Sequence, residues 1–455
     1  MKATASVERD LRAAVAAEVV APTIAYLTDQ TEARGYSGRA DAVALPGTAE
    51  EVAEVVAWCY AHGVAVVPRG GGTGYAGGVV PLDGGVVLSL ERLTRVRSFD
   101  PLLWRIEVEA GLRTADLRRI VREGGLLFAP DPGAAEQSQI GGNIATNAGG
   151  PHAFKYGVTR GWVTGLEAVV PPGDLVQLGG PLRKDVAGYD LKQLLIGSEG
   201  TLGVITAAWL RLTPAPEAAW PVIGFFDGVR RGVEAIEGVI GTGLPVAALE
   251  YVDSETLRYA GASFPGDVPA GAFAVLAEAD GATEEAARIR KQVLDLFAED
   301  ALALYAPEAP QEIAALWRWR DSLALVVQAQ RGSKASEDIA VPLDRLREAI
   351  VESLEIGRSL GVPACSWGHA GDGNLHTVFL LAGGDEAELA LAPQLSERLF
   401  ELALRLGGTI SGEHGVGFVK RDWLERQLGP RAFALHGAVK QAFDPQNLLN
   451  PGKKA

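Results

Sequence analysis

Hydrophobic and polar residues recur along the chain with periods that change from segment to segment, and these periods predict a mixture of helices and strands. Residues 49–62 have the apolar spacing of an amphipathic helix, with Thr48 as the N-cap and Gly63 after the last turn. Helical spacing returns over residues 114–123. Short apolar runs bounded by glycine and proline, typical of strands, separate these segments. The pattern therefore predicts an α+β protein.

A proline-rich stretch at residues 213–217 divides the remaining predicted elements into two groups. Before it, apolar runs predict strands at residues 64–67, 86–90, 105–109, 162–170 and 203–212. After it, the pattern predicts strands at residues 222–226 and 273–278 and helices at residues 228–241, 281–298 and 342–361. This second group is typical of an α+β domain with an antiparallel sheet.

Three other segments complete the pattern. The N-terminal residues, with charges from Arg9 to Glu18 among apolar positions, predict one amphipathic helix. Residues 125–160 have no regular period and much Gly, Asn and Pro, which predicts a long functional loop. Residues from 415 onward are predicted to be helical up to a tail at 447–453.

Composition and charge exclude several classes of protein. The chain has 455 residues, of which 47% are hydrophobic, and a formal net charge of −15, which argues against binding to nucleic acid or to an anionic membrane. Two cysteines, Cys59 and Cys365, are too few for an iron–sulfur cluster and are predicted to be buried thiols. No apolar run reaches the length of a membrane span, so we expect a cytoplasmic protein whose membrane contact, if any, is through a partner.

The first glycine cluster formally matches the dinucleotide fingerprint at Gly72, Gly74 and Gly77. That fingerprint requires a helix directly afterwards, whereas Val79 and Pro81 predict an extended segment here. We therefore reject a nicotinamide dinucleotide site. The alternative is a nest, in which successive backbone N–H groups line a concavity that binds an anion.

Two further segments have the composition of ligand-binding loops. Residues 130–150 contain small residues that let a ligand approach the backbone, and Asn143, Thr146 and Asn147 add side-chain hydrogen-bonding groups. Residues 184–206 contain the sequences KDVAGYDL and GSEGTLGVIT.

Together with the later sequences GDGNLH, GEHGVG and FDPQNLLNPGK, these motifs resemble the vanillyl-alcohol oxidase/p-cresol methylhydroxylase (PCMH) superfamily of flavoproteins. The similarity covers residues 38–453 and is greatest to the branch of glycolate oxidase flavoprotein subunits, D-lactate dehydrogenases and D-2-hydroxyglutarate dehydrogenases. The resemblance implies a two-part PCMH-type FAD-binding domain, an α+β cap domain with an antiparallel sheet, and a C-terminal segment that returns to the FAD domain. It implies four regions, with bounds 1–37, 38–214, 215–420 and 421–455.

The resemblance also implies FAD and the residues that bind it. Because the loops contain no His or Cys at the positions that carry covalent flavin links in relatives, we expect FAD to be bound non-covalently. The implied cofactor residues are Pro68, Arg69, Gly70, Gly71, Gly72, Thr73, Gly74, Gly77, Pro130, Pro132, Gly142, Asn143, Thr146, Ala148, Gly149, Glu199, Gly203, Ile205 and Asn450.

Three of the six histidines belong to two polar motifs in the C-terminal half of the chain. His369 and His376 flank a Gly-Asp-Gly-Asn turn, and Glu413 precedes His414 between glycines. Two imidazoles and a carboxylate that leave open positions suit a divalent transition metal such as Zn or Mn. The resemblance implies His369, His376 and Glu413 as the metal ligands and His414 as the catalytic base.

The implied reaction is oxidation of a D-2-hydroxy acid of the D-lactate or glycolate class to the 2-oxo acid. His414 would take the hydroxyl proton while the Cα hydride passes to flavin N5. Arg320 is the candidate for binding the substrate carboxylate, and Asn374 for binding its carboxylate or hydroxyl. Ala324 and Ser336 replace a threonine and a lysine of the 2-hydroxyglutarate enzymes, which disfavours a long diacid.

Three alternatives remain open at this point. The chain is a flavoprotein subunit of a glycolate-oxidase-like complex, a redox-neutral transferase of the alkyl-glycerone-phosphate synthase kind, or a non-catalytic paralogue. The electron acceptor is not fixed by the sequence, and an iron–sulfur subunit, a quinone, a cytochrome and an electron-transfer flavoprotein are all candidates. The sequence also leaves a homodimer open.

Overall fold

The computed structural model describes residues 4–454. The chain folds as two compact units, each built from more than one stretch of sequence. The first unit comprises the residues up to 149, residues 158–215 and the residues from 413 onward, and the second comprises residues 150–157 and 216–412.

The elements are numbered in chain order. The strands are β1 Glu18–Val20, β2 Ala42–Leu45, β3 Val66–Arg69, β4 Val86–Ser89, β5 Val96–Asp100, β6 Arg105–Glu109, β7 Leu126–Leu127, β8 Val163–Val170, β9 Asp174–Gly179, β10 Val204–Arg211, β11 Thr213–Pro214, β12 Ala218–Phe226, β13 Ala248–Val252, β14 Phe273–Gly281, β15 Ala303–Tyr305, β16 Gly332–Ala340, β17 Ala364–His369 and β18 Asn374–Ala382. The α-helices are α1 Thr4–Ala14, α2 Ile24–Leu27, α3 Ala49–His62, α4 Thr114–Glu123, α5 Ile140–Thr146, α6 Ala153–Tyr156, α7 Leu191–Leu195, α8 Gly228–Gly241, α9 Ser254–Ala260, α10 Thr283–Ala298, α11 Pro310–Ala329, α12 Leu346–Ser359, α13 Glu386–Leu389, α14 Ala392–Arg405, α15 Leu424–Leu428 and α16 Pro430–Phe443.

A four-stranded sheet in the first unit positions the first glycine loop. Its order is β1-β2-β4-β3, and β2, β4 and β3 run parallel. Every residue of β2 and β4 is buried, as expected for inner strands of a parallel sheet. The predicted helix α3 is confirmed: Thr48 accepts a hydrogen bond from the N–H of Glu51, and Gly63 ends the helix in the left-handed conformation.

The other large sheet of the first unit is antiparallel, with the order β5-β6-β10-β8-β9. The predicted strands at 162–170 and 203–212 are confirmed as neighbours in this sheet, since β10 pairs with β8. Helix α4 occupies the predicted residues 114–123. Its apolar residues Leu117 and Val121 are buried.

Two expectations from the sequence are wrong. Residues 125–160 are not one long loop, because α5 and α6 form within them. The N-terminal helix ends at Ala14, and Glu18 begins a strand that pairs with β2 instead of continuing the helix. In both cases a weak local pattern is overridden by contacts with distant parts of the chain.

The C-terminal segment belongs to the first unit, where it packs on α3 and β3. Leu449 forms a parallel bridge with Val66. The Tyr60 hydroxyl donates to Asp444 over 2.7 Å, and the buried Lys440 ammonium lies 2.6 Å from the same carboxylate. Burial would raise the pKa of Asp444, but these hydrogen bonds and the charge of Lys440 hold it below its usual value.

The second unit is built on a seven-stranded sheet with the order β15-β12-β14-β13-β17-β18-β16. Neighbouring strands are antiparallel throughout, as the sequence predicts. Helices α9 and α11 cover one face and bury a core that includes Phe225, Leu276, Leu323 and Trp367. The same face also carries buried polar residues near its centre, described below.

Two expectations from composition can also be compared with the structure. Cys59 and Cys365 are buried, as predicted, and burial raises the pKa of both thiols. Among residues 4–454, no helix combines the length and the apolar character needed to cross a membrane.

Candidate active site

The first glycine-rich loop follows β3, and its backbone packs directly against the second loop. A Cβ on Gly70 would lie 3.3 Å from Cα of Gly142, and one on Gly71 would lie 2.2 Å from the carbonyl oxygen of Gln137. Gly72 has a φ of 67°. Because a side chain at Gly71 would strike backbone atoms, and one at Gly72 would be strained, these positions require glycine.

Two buried polar atoms in these loops have no hydrogen-bond partner within the described part of the chain. They are Oε1 of Gln139, in the second loop, and Oγ of Ser198, in the third glycine-rich segment. An unpaired buried polar atom costs about 1–3 kcal/mol, so such atoms indicate a ligand that completes the hydrogen bonding. Closely packed backbone and unpaired polar atoms together fit a large polar cofactor such as FAD.

All of the cofactor residues predicted from the sequence lie in the first unit. Several of their side chains are used inside the protein. The amide of Asn143 donates to Thr114 over 2.7 Å, Thr146 donates to a carbonyl of its own helix, and the Arg69 guanidinium donates to backbone carbonyls of the N-terminal segment. These side chains therefore stabilise the loops, and backbone groups are left as the main means of holding a ligand.

Glu199 and Asn450, both predicted as cofactor residues, are linked to each other. The Asn450 side-chain amide donates to the carbonyl oxygens of Glu199 and Gly78, over 2.8 and 2.9 Å. The Glu199 carboxylate accepts the N–H groups of Val416 and Gly417. The third glycine-rich segment is thus connected to the loop that carries Glu413 and His414.

His414, the predicted base, lies against the first glycine loop through Tyr75. The two rings are stacked, with centroids 4.7 Å apart and planes 19° apart. Burial, with a further contribution from the charge of Glu413, raises the pKa of the Tyr75 phenol. Tyr75 lies in the glycine cluster but was not predicted as a site residue, because nothing in its local sequence relates it to a histidine far along the chain.

In the second unit, a hairpin brings His369 and His376 together. Strands β17 and β18 are joined by a tight turn, and their register pairs His369 with Asn374 and Trp367 with His376. Side chains of paired residues lie on one face of a sheet, so both imidazoles face the same side. Their Nε2 atoms are 3.4 Å apart, and both residues are buried.

Glu250 on β13 fixes the orientation of His369. Its Oε1 lies 2.6 Å from Nδ1 of His369, and its Oε2 accepts from Nε of Arg320 over 2.7 Å. Burial by itself would raise the pKa of Glu250, but the charges of Arg320 and His369 lower it to about 2. The carboxylate is therefore ionised and can accept the Nδ1 proton, so Nε2 is the ring atom of His369 that would bind a metal.

Glu413, the third predicted metal ligand, follows a glycine that packs against Asn374. The Asn374 amide donates to the carbonyl of Ile339, and a Cβ on Gly412 would lie 2.2 Å from the side-chain nitrogen of Asn374. Glu413 follows Gly412 directly along the chain. His369, His376 and Glu413 each offer one ligand atom, and these atoms lie within 4.8 Å of one another.

Known protein families match both halves of the chain. Residues 215–454 match the family described as FAD linked oxidases, C-terminal domain, and residues 40–179 match the FAD binding domain family. The chain belongs to the FAD-linked oxidase family. FAD is therefore its cofactor, and the resemblance to this superfamily drawn from the motifs is confirmed.

Similar FAD-linked oxidases include proteins named for hydroxy-acid substrates. The chain is 36% identical to the glycolate oxidase subunit GlcD of Bacillus subtilis (strain 168), over 92% of this chain and 89% of that protein. It is 34% identical to a D-lactate dehydrogenase of Anaerostipes hadrus, over 89% and 87%. It is 33% identical to a D-2-hydroxyglutarate dehydrogenase of Stutzerimonas stutzeri (strain A1501), over 94% and 93%.

Solved structures of this fold agree with the predicted fold class. The structure of p-cresol methylhydroxylase with substrate bound has a TM-score of 0.79 and 16% identity, over 100% of this chain and 97% of that chain. An alkyldihydroxyacetonephosphate synthase has a TM-score of 0.69 and 19% identity, over 90% and 77%. At these identities the likeness shows the fold alone, and the PCMH-type architecture is confirmed.

Glu250, like Tyr75, is a residue of the candidate site that the sequence analysis did not predict. The available signal was a carboxylate inside the otherwise apolar strand β13, because a buried acidic residue needs a partner. The hydrogen bond between Glu250 and Arg320 also limits how Arg320 could bind a substrate carboxylate, the role predicted for it. At least one edge of the Arg320 guanidinium is occupied by Glu250, so only the rest of the group can bind a substrate carboxylate.

Replacing Glu250 by Gln is expected to weaken binding of a divalent metal by about 10- to 100-fold, the usual effect of losing a carboxylate that supports a histidine ligand. The variant removes the charge that holds the Nδ1 proton and the negative charge next to Arg320. Competition with a chromogenic chelator measures the affinity. The matched control is Glu337→Gln, a carboxylate on the opposite face of β16 that is fully buried and accepts from Ser396. Equal metal affinity in E250Q and wild type would contradict the assignment.

Proposed function

We propose that the protein oxidises a D-2-hydroxy acid of the D-lactate or glycolate class to the 2-oxo acid, with FAD as the electron acceptor and a divalent metal at His369, His376 and Glu413. The observation that carries the proposal is the buried histidine pair with Glu250 behind it. Such a pair beside a carboxylate suits activation of a hydroxyl group, and the similar proteins named above are named for hydroxy acids.

The spacing of the two imidazoles supports the metal. Two nitrogen ligands at the usual zinc distance of about 2.0–2.1 Å and near the tetrahedral angle are about 3.3–3.4 Å apart. The Nε2 atoms of His369 and His376 are 3.4 Å apart. The contact between Nδ1 of His369 and a carboxylate is the usual second interaction of a metal-binding histidine. Zn or Mn fits this donor set.

The side chains of the site would have distinct roles in the reaction. When bound, FAD would supply a hydride acceptor for the substrate Cα, and a metal held by His369, His376 and Glu413 would supply positive charge for the 2-oxygen. His414 would take the hydroxyl proton. It follows Glu413 in the sequence, and its ring stacks on that of Tyr75. Arg320 would bind the substrate carboxylate, and Asn374 would orient the carboxylate or the hydroxyl.

FAD is proposed to be held without a covalent bond. Residues 70–78 and 130–142 contain no His or Cys that could attach the flavin. The glycine positions of these loops would let a pyrophosphate approach the backbone N–H groups, and Gln139 and Ser198 offer unpaired polar atoms. The proposed location is the cytoplasm, in agreement with two buried free thiols.

The residues that differ from the 2-hydroxyglutarate enzymes support a short substrate. Ser336 and Lys334 are two residues apart on β16 and so share one face of the sheet. The Lys334 ammonium donates to the carbonyl oxygen of Ala324 over 3.1 Å and is buried. The Lys334 amine is therefore held at the backbone of α11. In the sequence, Lys334 stands two residues before the position of the lysine in the 2-hydroxyglutarate enzymes.

Anaerobic mixing of the holoenzyme with D- and L-2-hydroxy acids tests the proposal. D-lactate or glycolate is expected to bleach the flavin, with L-lactate and D-2-hydroxyglutarate slower by about 100-fold or more, and a chelator is expected to abolish the bleaching. Flavin absorbance in a stopped-flow instrument measures the rate. A flavin that stays oxidised with every hydroxy acid would contradict the proposal and would favour the redox-neutral transferase.

A second candidate is the same chemistry inside a complex with separate electron-transfer subunits. The observation that favours it is the similarity to proteins named as glycolate oxidase subunits. The chain itself has only two cysteines, so an iron–sulfur centre would have to lie on a partner. Reduction of the flavin without reoxidation by oxygen or quinone, restored by such a partner, distinguishes the complex from a self-sufficient enzyme.

A further inference from the structure

The short segment at residues 412–417 carries two of the proposed functional side chains but forms no helix or strand. It has the sequence Gly-Glu-His-Gly-Val-Gly, so half of its residues are glycine. Glycine loses more conformational freedom on ordering than any other residue, so such a segment keeps one conformation only when other groups hold it. The contacts that hold it therefore decide where Glu413 and His414 point.

Glu199 supplies the main polar contacts on the C-terminal side of this segment. Its Oε1 accepts the N–H of Val416 over 2.8 Å, and its Oε2 accepts the N–H of Gly417 over 2.6 Å. A Cβ on Gly415 would lie 3.0 Å from Oε1 of Glu199. The two carboxylate oxygens of Glu199 thus accept the N–H groups of consecutive residues. These residues follow His414, the proposed base, by two and three positions.

The rest of the structure fixes Glu199 in turn. Its backbone has a φ of 54°, in the left-handed region that a residue with a side chain seldom adopts. Its N–H donates to Ala145 and its carbonyl accepts from Asn450, both over 2.8 Å. The Lys454 ammonium lies 3.1 Å from Oε1 and balances the charge of this buried carboxylate. The backbone of Glu199 is thus fixed by contacts outside residues 412–417, and Lys454 adds a contact to its carboxylate.

We propose that Glu199 is a positioning residue, whose carboxylate sets the conformation of residues 413–417 and thereby the placement of Glu413 and His414. This inference rests on the proposed function for the roles of those two side chains. It assigns Glu199 a task different from contact with the flavin, since its two carboxylate oxygens are occupied by the protein itself.

Glu199→Gln tests the inference because it keeps the shape of the side chain while replacing one acceptor oxygen by an NH2 group. One of the two backbone N–H groups then faces a donor, and Lys454 loses its counter-charge. In the holoenzyme, amide hydrogen exchange of a peptide covering residues 412–420 is expected to rise by about 10-fold or more. We also expect flavin reduction and metal affinity to fall by about 10- to 100-fold, with FAD content and KM nearly unchanged.

The matched control is Glu109→Gln in the same unit. Glu109 is a fully buried carboxylate that accepts from the backbone and the side chain of Arg95, at 2.9 and 3.0 Å. The E109Q variant should have a lower free energy of unfolding, with hydrogen exchange at residues 412–420 unchanged. Glu199→Asp, which keeps the charge but shortens the side chain, should fall between E199Q and wild type.

Three results would overturn the inference: exchange at 412–420 unchanged in E199Q, loss of FAD in parallel with the rate, or the same losses in E109Q. Failure of the proposed function looks different. In that case removing the metal or replacing His414 leaves flavin reduction unchanged, while E199Q still raises exchange at 412–420.

Discussion

Replacing His376 by Ala is expected to lower the rate of flavin reduction by a hydroxy acid by about three orders of magnitude, and removing the metal with a chelator should do the same. A metal at such a site contributes several kcal/mol to stabilisation of the developing charge, and about 1.4 kcal/mol corresponds to a tenfold change in rate. With His376 removed, one buried imidazole and one carboxylate remain, too few ligands to retain a divalent ion against a competitor. Metal analysis and anaerobic stopped-flow absorbance of the same preparation measure both effects.

The control for this experiment is His436→Ala. His436 is exposed on α16, and its Nδ1 lies 2.9 Å from the carbonyl oxygen of Ala432 in the same helix. That variant should keep its metal and its rate within about threefold, as expected for a surface change. Restoration of the rate by added Zn or Mn in chelated wild type, but not in H376A, completes the test. A metal-free H376A that still reduces its flavin at the wild-type rate would show that the cluster has another role.

Replacing His414 by Asn should reduce the rate of flavin reduction by roughly 10²- to 10⁴-fold, the usual contribution of a positioned general base. FAD and metal should both remain bound, because His414 is not among the three clustered ligand residues. Single-turnover flavin absorbance of both proteins at one fixed pH measures the drop.

His62→Asn is the matched control for this substitution. His62 is exposed at the end of α3, where its Nδ1 lies 2.7 Å from the carbonyl oxygen of Trp58. The same chemical change there should leave the rate as in wild type. An H414N enzyme that reduces its flavin at the wild-type rate would remove His414 from the proton transfer and direct the search to other residues near the metal cluster.

Much of the fold could be predicted from the sequence where the signal is local. Helices α3, α4 and α8 were predicted with their observed bounds, because each has a strong apolar stripe or a clear capping residue and no competing contact. The antiparallel sheet of the second unit was also predicted correctly, since strands and helices alternate there at suitable lengths. Motif spacing was sufficient to recognise the family.

Helix α5 shows where local reasoning fails. Its sequence, IGGNIAT, has two glycines and two isoleucines, so its intrinsic helix propensity is low. Tertiary contacts stabilise it instead. Asn143 donates to Thr114, and a Cβ on Gly141 would lie 2.6 Å from the Cβ of Ala110, so glycine is needed for close packing rather than for a loop. No pattern within the segment carries this information.

By itself, the sequence determined the family, the cofactor and the chemical types of the candidate site, because side chains that bind flavins or metals recur at fixed spacings within short motifs. Only the tertiary structure decided which residues support them. Glu250 reaches His369 across a separation of 119 residues, and Glu199 reaches Val416 across 217. Such partners are chosen by sheet register and loop packing, and a hydrogen bond between distant residues leaves no periodic trace in the chain.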